Sequence, residues 1–428
     1  MPAEFFLGLD FGTSGARACV MAPDGSIEAL ERIDFGDWQD YEIAGVWRET
    51  LWEVLARLPI GVRRRLTAIA VDATSATVLP CDAALMPLAP PLAYHDTRAV
   101  AEAALIARVA GADNPAASPS SGLAKMLWLQ KHSGSRRVDC YLNQADWLTG
   151  LLSDRPGLSD YHNALKMGFD IARRTWPDWV GHLVDMEALP LPSVGPPGSA
   201  IGCLARPRAR DLGIPVDCLI RAGTTDSIAA FLAAGASQPG QAVTSLGSTL
   251  VLKLLSATRV DATEYGVYSH WFGDLWLTGG ASNAGGSLLR REFSAEQLIE
   301  LSRQIDPDTS SGLDYYPLPR TGERFPINDP NLAARIEPRP DNSALYLKGL
   351  LEGLSNIEAM GYLRLAELGA TPLQSVATAG GGSTNAAWMR MRQRRLGVPV
   401  SVSPQQEAAY GAARLARYGS ELFPRSIP

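Results

Sequence analysis

The chain has 428 residues, 46% of them apolar and 20% charged, and a formal net charge of −6. That length predicts two or three domains, each able to bury its own core, and the acidic balance argues against nucleic acid or an anionic membrane as the main partner. The five cysteines are widely spaced and form no CxxC or Cys/His cluster, so neither a disulfide framework nor a zinc site is expected. No apolar stretch reaches membrane-spanning length and the start of the chain has no basic-then-apolar leader, so a soluble, cytoplasmic protein is expected.

Residues 5–15 read Phe-Phe-Leu-Gly-Leu-Asp-Phe-Gly-Thr-Ser-Gly. An apolar run ending in Asp10, a Gly/Thr/Ser turn and a second apolar run at 16–22 predict a β-hairpin. Glycines let the tip bring backbone N–H groups and two hydroxyls around an anion, and Asp10 sits where a carboxylate can face a hydrated cation. Residues 27–35 supply a third strand, Trp38-Gln39 a loop, and 46–58 a helix with Trp47, Leu51, Trp52 and Leu55 on one face. The trio Arg63-Arg64-Arg65 after it reads as a solvated face. The apolar run 66–71 fits a buried parallel strand. It ends in Asp72-Ala73-Thr74-Ser75-Ala76-Thr77, small polar residues where α/β sheets bind ligands.

Helices are predicted over 99–109, 123–132 and 146–152. His162 reads as a hydrogen-bonded structural histidine rather than a catalytic one. A strand at 218–222 runs into Gly223-Thr224-Thr225-Asp226-Ser227 and a helix over 228–236, and the change of character near Gly223 marks a domain boundary. Strand 241–246, the turn Gly247-Ser248-Thr249 and strand 250–255 repeat the opening design. That repeat suggests two related domains facing one another across a cleft. Strand 276–280 leads to a small-residue turn at 281–286, and 346–368 is the longest helix, its apolar spacing being core packing. Strand 376–379 runs into Gly380-Gly381-Gly382-Ser383-Thr384-Asn385, a bend that lets a flat ring or a phosphate approach the backbone. For the last helix, Ser403 is the expected N-cap, with Pro404 first, Gln406 completing a capping box and Gly419 past the end.

The chain lacks GxxxxGK[ST], GxGxxG after its first strand, HExxH and GxSxG. It has two hairpin phosphate cradles, the aspartates Asp10 and Asp226, and a late glycine bend. Phosphoryl transfer needs such parts: backbone donors, a metal to neutralise phosphate charge, and a carboxylate to take the acceptor's proton.

On these residues the chain resembles the FGGY carbohydrate kinases of the actin-like, ribonuclease-H-like ATPase superfamily, essentially end to end. Residues 8–14 look like the first phosphate loop, Asp96-Thr97-Arg98 like the D-x-R segment, and 160–164 like the D-x-x-N-A segment. Residues 223–227 look like the stretch of the catalytic base, 246–249 like the second phosphate loop, 322–324 like the G-E-R loop and 380–385 like the adenosine motif. The resemblance implies an α/β two-domain actin-like fold with an interdomain active-site cleft, divided into residues 1–222 and 223–428, the last helix packing back on the first domain. It implies ATP and Mg2+. Asp10 would hold the metal through water, with Asp226 also beside it, and Gly12, Thr13 and Ser14 would contact phosphate. Asp226 would be the base, and Gly247 and Ser248 the second phosphate contact. Gly381, Gly382 and Asn385 would hold adenosine, with Gly285 nearby, and Ser75 would join Asp10 and Asp226 at the sugar. The chain is shorter than typical xylulo-, glycero- and ribulokinases, and Ala-Thr-Ser-Ala-Thr follows Asp72 where better-known members carry Gln-Arg-Glu-like or Met-His-like residues. That loop looks most like a compact subgroup near the D-ribulose kinases. The expected reaction is phosphorylation of a ketopentose, D-ribulose first, with D-xylulose or glycerol-type polyols as alternatives. A non-kinase ATPase and an inactive sugar-binding relative are the remoter readings. The partner is a small sugar, with no nucleic acid or membrane, and the oligomeric state, monomer or homodimer, is left open.

Overall fold

A computed structural model describes residues 4–37, 42–132, 137–185, 189 and 191–424; the Trp38-Gln39 loop lies outside them. The chain forms two compact units, Met1–Ala233 with Glu407–Phe423, and Ala234–Gln406 with Pro424–Pro428. This division falls beyond the Gly223 crossing, because the segment after Gly223 remains part of the first unit. Thr224 and Thr225 pair in parallel with Asp72 and Ala73, and in the following helix Ala229 lies against Gly411 of the chain's last helix.

In the first unit, β1 (Phe5–Phe11) and β2 (Gly15–Met21) form the expected antiparallel hairpin, and β3 (Ile27–Asp34) pairs with β2. On its other side β1 runs parallel to β4 (Leu66–Ala73), which runs parallel to Leu219–Arg221. Strand alternation divides β1 between two faces. Phe5, Leu7, Leu9 and Phe11 join Trp47, Leu51, Val54 and Leu55 of the helix Ile43–Arg57 in one core. The opposite face carries Gly8 and Asp10. Gly8 is required there: a Cβ would fall on the Ala409 carbonyl oxygen and the Ala413 nitrogen of the helix Ala408–Tyr418. Asp10 shares the face covered by that helix.

The second unit repeats this plan. Gln241–Leu246 and Leu250–Ser256 form a hairpin, Leu275–Ser282 pairs with the hairpin's second strand, and Ser375–Ala379 runs parallel to its first. The helix Ser343–Glu367 is capped by the Asn342 side chain, which accepts from the Ala344 and Leu345 amides. It buries Leu347, Leu350, Leu351 and Leu354.

The capping box expected at 403–406 is not formed. The last helix starts at Ala408 behind Glu407, with no side-chain cap, and the Ser403 hydroxyl donates to the Gln405 carbonyl instead. Gln406 is drawn off to the glycine bend, where its Oε1 accepts from the Gly380 amide at 2.9 Å. Neighbouring chain competes for the same polar groups, and sequence spacing does not record that competition. Arg63 is likewise not simply solvated, since its Nη1 donates to the Leu212 carbonyl. Among the described residues all five cysteines are free thiols, and no helix is long and apolar enough to cross a membrane.

Candidate active site

The predicted site residues fall into two sets, one per unit. Asp10, Gly12, Thr13, Ser14, Ser75 and Asp226 belong to the first; Gly247, Ser248, Gly285, Gly381, Gly382 and Asn385 belong to the second.

In the first unit, parallel pairing brings Asp10 beside Asp72 and Asp72 beside Thr224, two residues before Asp226. Three carboxylates thus gather at the carboxyl ends of adjacent strands, where open α/β sheets bind ligands. Asp10 is 3% exposed and Asp72 is fully buried. Arg17, cross-strand from Asp10, places Nη1 3.0 Å from Asp10 Oδ2 and Nε 3.3 Å from Glu407. Burial raises the Asp10 carboxyl above its ordinary value, and the charge and hydrogen bond of Arg17 oppose that rise. Asp72 has no such cation in contact. Burial, then the charges of Asp10 and Asp226 and a side-chain hydrogen bond with Asp10, push its carboxyl well above the usual carboxylate range. Asp226 opens the helix Asp226–Ala234, its Oδ1 accepting from the Ser227 amide at 2.6 Å.

Sequence reasoning missed Asp72 as a site residue. The signal was available: Asp72 closes an apolar strand as Asp10 does, five residues before a turn of hydroxyls ends.

The tip of the first hairpin leaves Thr13 and Ser14 exposed, and the Gly12 amide donates to Gly15 across it. In the loop after β4, the hydroxyls of Thr74 and Thr77 bond one another at 2.6 Å, and Thr74 also bonds Gln144. Both are buried, so Ser75, half-buried, is the loop hydroxyl available to a ligand. His162 is structural as expected: it is 1% exposed and Nδ1 lies 2.7 Å from the Thr224 hydroxyl. Asp160 caps its short helix, accepting from the His162 and Asn163 amides. The D-x-x-N-A segment therefore supports the strand that leads to Asp226.

In the second unit, a cavity of about 830 Å³ is lined by Leu246, Gly247, Leu289, Arg290, Phe293, Ser302, Gly381, Gly382, Asn385 and Trp388. Apolar walls with a few polar groups suit a nucleoside. Gly381 faces open space. Asn385 caps the helix Ala386–Leu396 through the Trp388 amide, and its Nδ2 donates to the Ser302 hydroxyl at 2.9 Å. At the hairpin tip, the Gly247 and Ser248 carbonyls accept from the Gly286 and Ser287 amides. Gly285 permits that approach, because a Cβ would sit 2.7 Å from the Ser248 oxygen. Arg290 donates to the Ser248 hydroxyl at 2.7 Å. Glu323 of the G-E-R loop is buried and accepts from the Ser282 hydroxyl and the Asn283 amide, which fixes the turn before Gly285. Arg290, Ser302 and the helix Ala295–Arg303 were not anticipated. The capping box of Ser294 and Gln297 was the overlooked sign of that helix.

Residues 5–233 match the N-terminal domain, and residues 242–420 the C-terminal domain, of the FGGY family of carbohydrate kinases. The crystal structure of a xyloylose kinase from Brucella ovis superposes with a TM-score of 0.84 at 22% identity, covering 99% of this chain and 94% of that one. The fold is thus the two-domain α/β fold of the actin-like ATPases. The chain belongs to the FGGY family and is an ATP-dependent carbohydrate kinase. It is 24% identical to a xylulose kinase from Klebsiella pneumoniae over 96% of this chain and 89% of that protein. It is 26% identical to a glycerol kinase from Gloeobacter violaceus over 97% and 88% respectively.

Proposed function

We propose that this kinase transfers the γ-phosphoryl group of ATP to a terminal hydroxyl of a ketopentose bound in the first unit. The observation that carries the reading is the gathering of Asp10, Asp72 and Asp226 at adjacent strand ends, with the Ser75 hydroxyl in the loop beyond β4. Asp226 takes the hydroxyl proton as the sugar oxygen attacks the γ-phosphorus and ADP leaves. Gly12, Thr13 and Ser14, with Gly247 and Ser248, cradle phosphate, and Gly381, Gly382 and Asn385 hold adenosine, with Gly285 keeping the tip in place.

Among the described residues no group of three His, Cys, Asp or Glu side chains is placed to ligate a metal directly. Mg2+ keeps several waters and rides on substrate phosphates. Asp10 and Asp226, hard oxygen donors, would hold it through water, and the ion would supply charge neutralisation on the phosphates.

For the particular ketopentose, the likeness to named xylulose kinases favours D-xylulose. The loop around Ser75 favours D-ribulose, which differs from xylulose at one hydroxyl-bearing carbon. A site that bonds a hydroxyl rejects the epimer because its own polar groups are then left unpaired. Specificity constants for D-xylulose, D-ribulose, L-ribulose and glycerol, in wild type and Ser75→Ala, test both. A ketopentose should lead, and Ser75→Ala should reduce its lead. A preference for glycerol would reject the reading, and an unchanged ranking with undiminished activity would clear Ser75.

A further inference from the structure

Lys125 lies on the helix Gly122–His132 of the first unit and is fully buried. Its Nζ donates to two backbone carbonyls from separate parts of the chain, Ala76 at 2.9 Å and Ala93 at 2.6 Å. A buried ammonium is costly unless its N–H groups are satisfied, and burial lowers the Lys125 pKa to about 7. An apolar residue would fill that space without such a penalty, so the two bonds are what the lysine contributes.

Both ends of this staple matter to the acceptor region. Ala76 is a buried non-glycine residue at φ 58°, a strained conformation that persists only when its surroundings hold it. It directly follows Ser75. Ala93 opens the segment that carries Asp96 and Arg98, themselves paired at 2.8 Å. That segment is seated on the same helix a second time, since the Arg98 guanidinium lies 5.0 Å from the Trp128 ring centre. Backbone bonds between Val78 and Leu92 join the two stretches further along, and this one helix seats the ends that carry Ala76 and the D-x-R segment.

We propose that Lys125 is a positioning residue for the sugar, setting the place of Ser75 by holding the carbonyls of Ala76 and Ala93. This rests on the reading of Ser75 as an acceptor contact. Lys125 does not touch the reacting atoms.

The test is the steady-state kinetics of Lys125→Met, Ser75→Ala and the double variant, with the better of D-xylulose and D-ribulose as acceptor. Lys125→Met, similar in length but without donors, should raise the acceptor KM about tenfold or more and leave the KM for ATP within twofold. The double variant should be no worse than Lys125→Met alone, because a displaced Ser75 has nothing left to lose. Equal loss on both substrates, or multiplying effects in the double variant, would overturn the proposal by making Lys125 merely structural. Ala76→Gly tests the same staple while relieving backbone strain instead of adding to it. With Lys125 holding the carbonyl, glycine should leave the acceptor KM within twofold; a tenfold rise would mean that Ala76, not Lys125, sets the turn. If wild type phosphorylates neither pentulose, the functional reading fails. If it phosphorylates one and Lys125→Met matches wild type, only this inference fails.

Discussion

Asp10 and Asp72 stand opposite one another on two parallel strands, yet of the two only Asp10 is in contact with Arg17. The same backbone position on neighbouring strands therefore produces two different carboxyls. Asp10 is buried but countered by a guanidinium 3.0 Å away, whereas Asp72 is fully buried beside the charges of Asp10 and Asp226. The folded chain consequently favours a proton on Asp72.

The sign of the resulting pH dependence follows. The unfolded chain releases this proton near pH 4, and the folded chain holds it to higher pH. Between those limits the native state binds more protons, so stability falls as pH rises. Asp72→Asn is neutral throughout and escapes that loss. Thermal unfolding in metal-free buffer should find the variant's advantage over wild type growing from pH 4 to pH 8. An advantage that is constant or shrinks would place the charge on Asp72 at no cost and contradict the assignment.

Asp10 is expected to act through the metal. Asp10→Ala should lower both sugar phosphorylation and the slow background hydrolysis of ATP, and should raise the Mg2+ concentration needed for half activity. Loss of the sugar reaction alone, with background hydrolysis intact, would make Asp10 a sugar contact.

Gln406 ties the Gly380 amide and reaches the Ser383 hydroxyl at 3.4 Å, so it shapes the bend that carries Gly381 and Gly382. Removing one such bond is worth about 1 kcal/mol. Gln406→Ala should weaken ADP binding roughly fivefold by calorimetry and leave the acceptor KM unchanged. An unaltered ADP affinity would detach Gln406 from the nucleotide site.

Glu323 is a buried acceptor for the Ser282 and Tyr316 hydroxyls and the Asn283 amide. Truncation leaves those donors unsatisfied, so Glu323→Ala should cost about 2–4 kcal/mol of stability. The lower urea midpoint should come with weaker ADP binding, because the turn before Gly285 is released. A midpoint within error of wild type would mean that water satisfies those donors.

Much of this was legible in the chain. The two hairpins, the buried strand expected at 66–71 and the long helix expected at 346–368 follow from local apolar periodicity, and glycine and hydroxyl residues marked both hairpin tips. Pairings across the sequence left little local trace. The Thr74 and Thr77 hydroxyls bond one another and Thr74 also bonds Gln144 from a distant helix, which nothing in the local sequence records. Ser403 read as a cap because nothing in its own segment shows that Gln406 is drawn to Gly380. Asp226 read as part of the second domain because the turn at Gly223 looks like a break, whereas Thr224 and Thr225 pair with β4. That pairing is what groups Asp226 with Asp10 and Asp72.

The base assignment is tested most directly by the turnover of Asp226→Asn with saturating ATP and the preferred pentulose, read beside its ADP affinity. The substitution keeps shape and removes the proton acceptor. Turnover should fall by about 10²–10⁴, the usual span for acid–base catalysis, while ADP affinity stays near wild type because the cavity proposed for the nucleotide is built from the second unit. Near-normal sugar phosphorylation by Asp226→Asn would contradict the account.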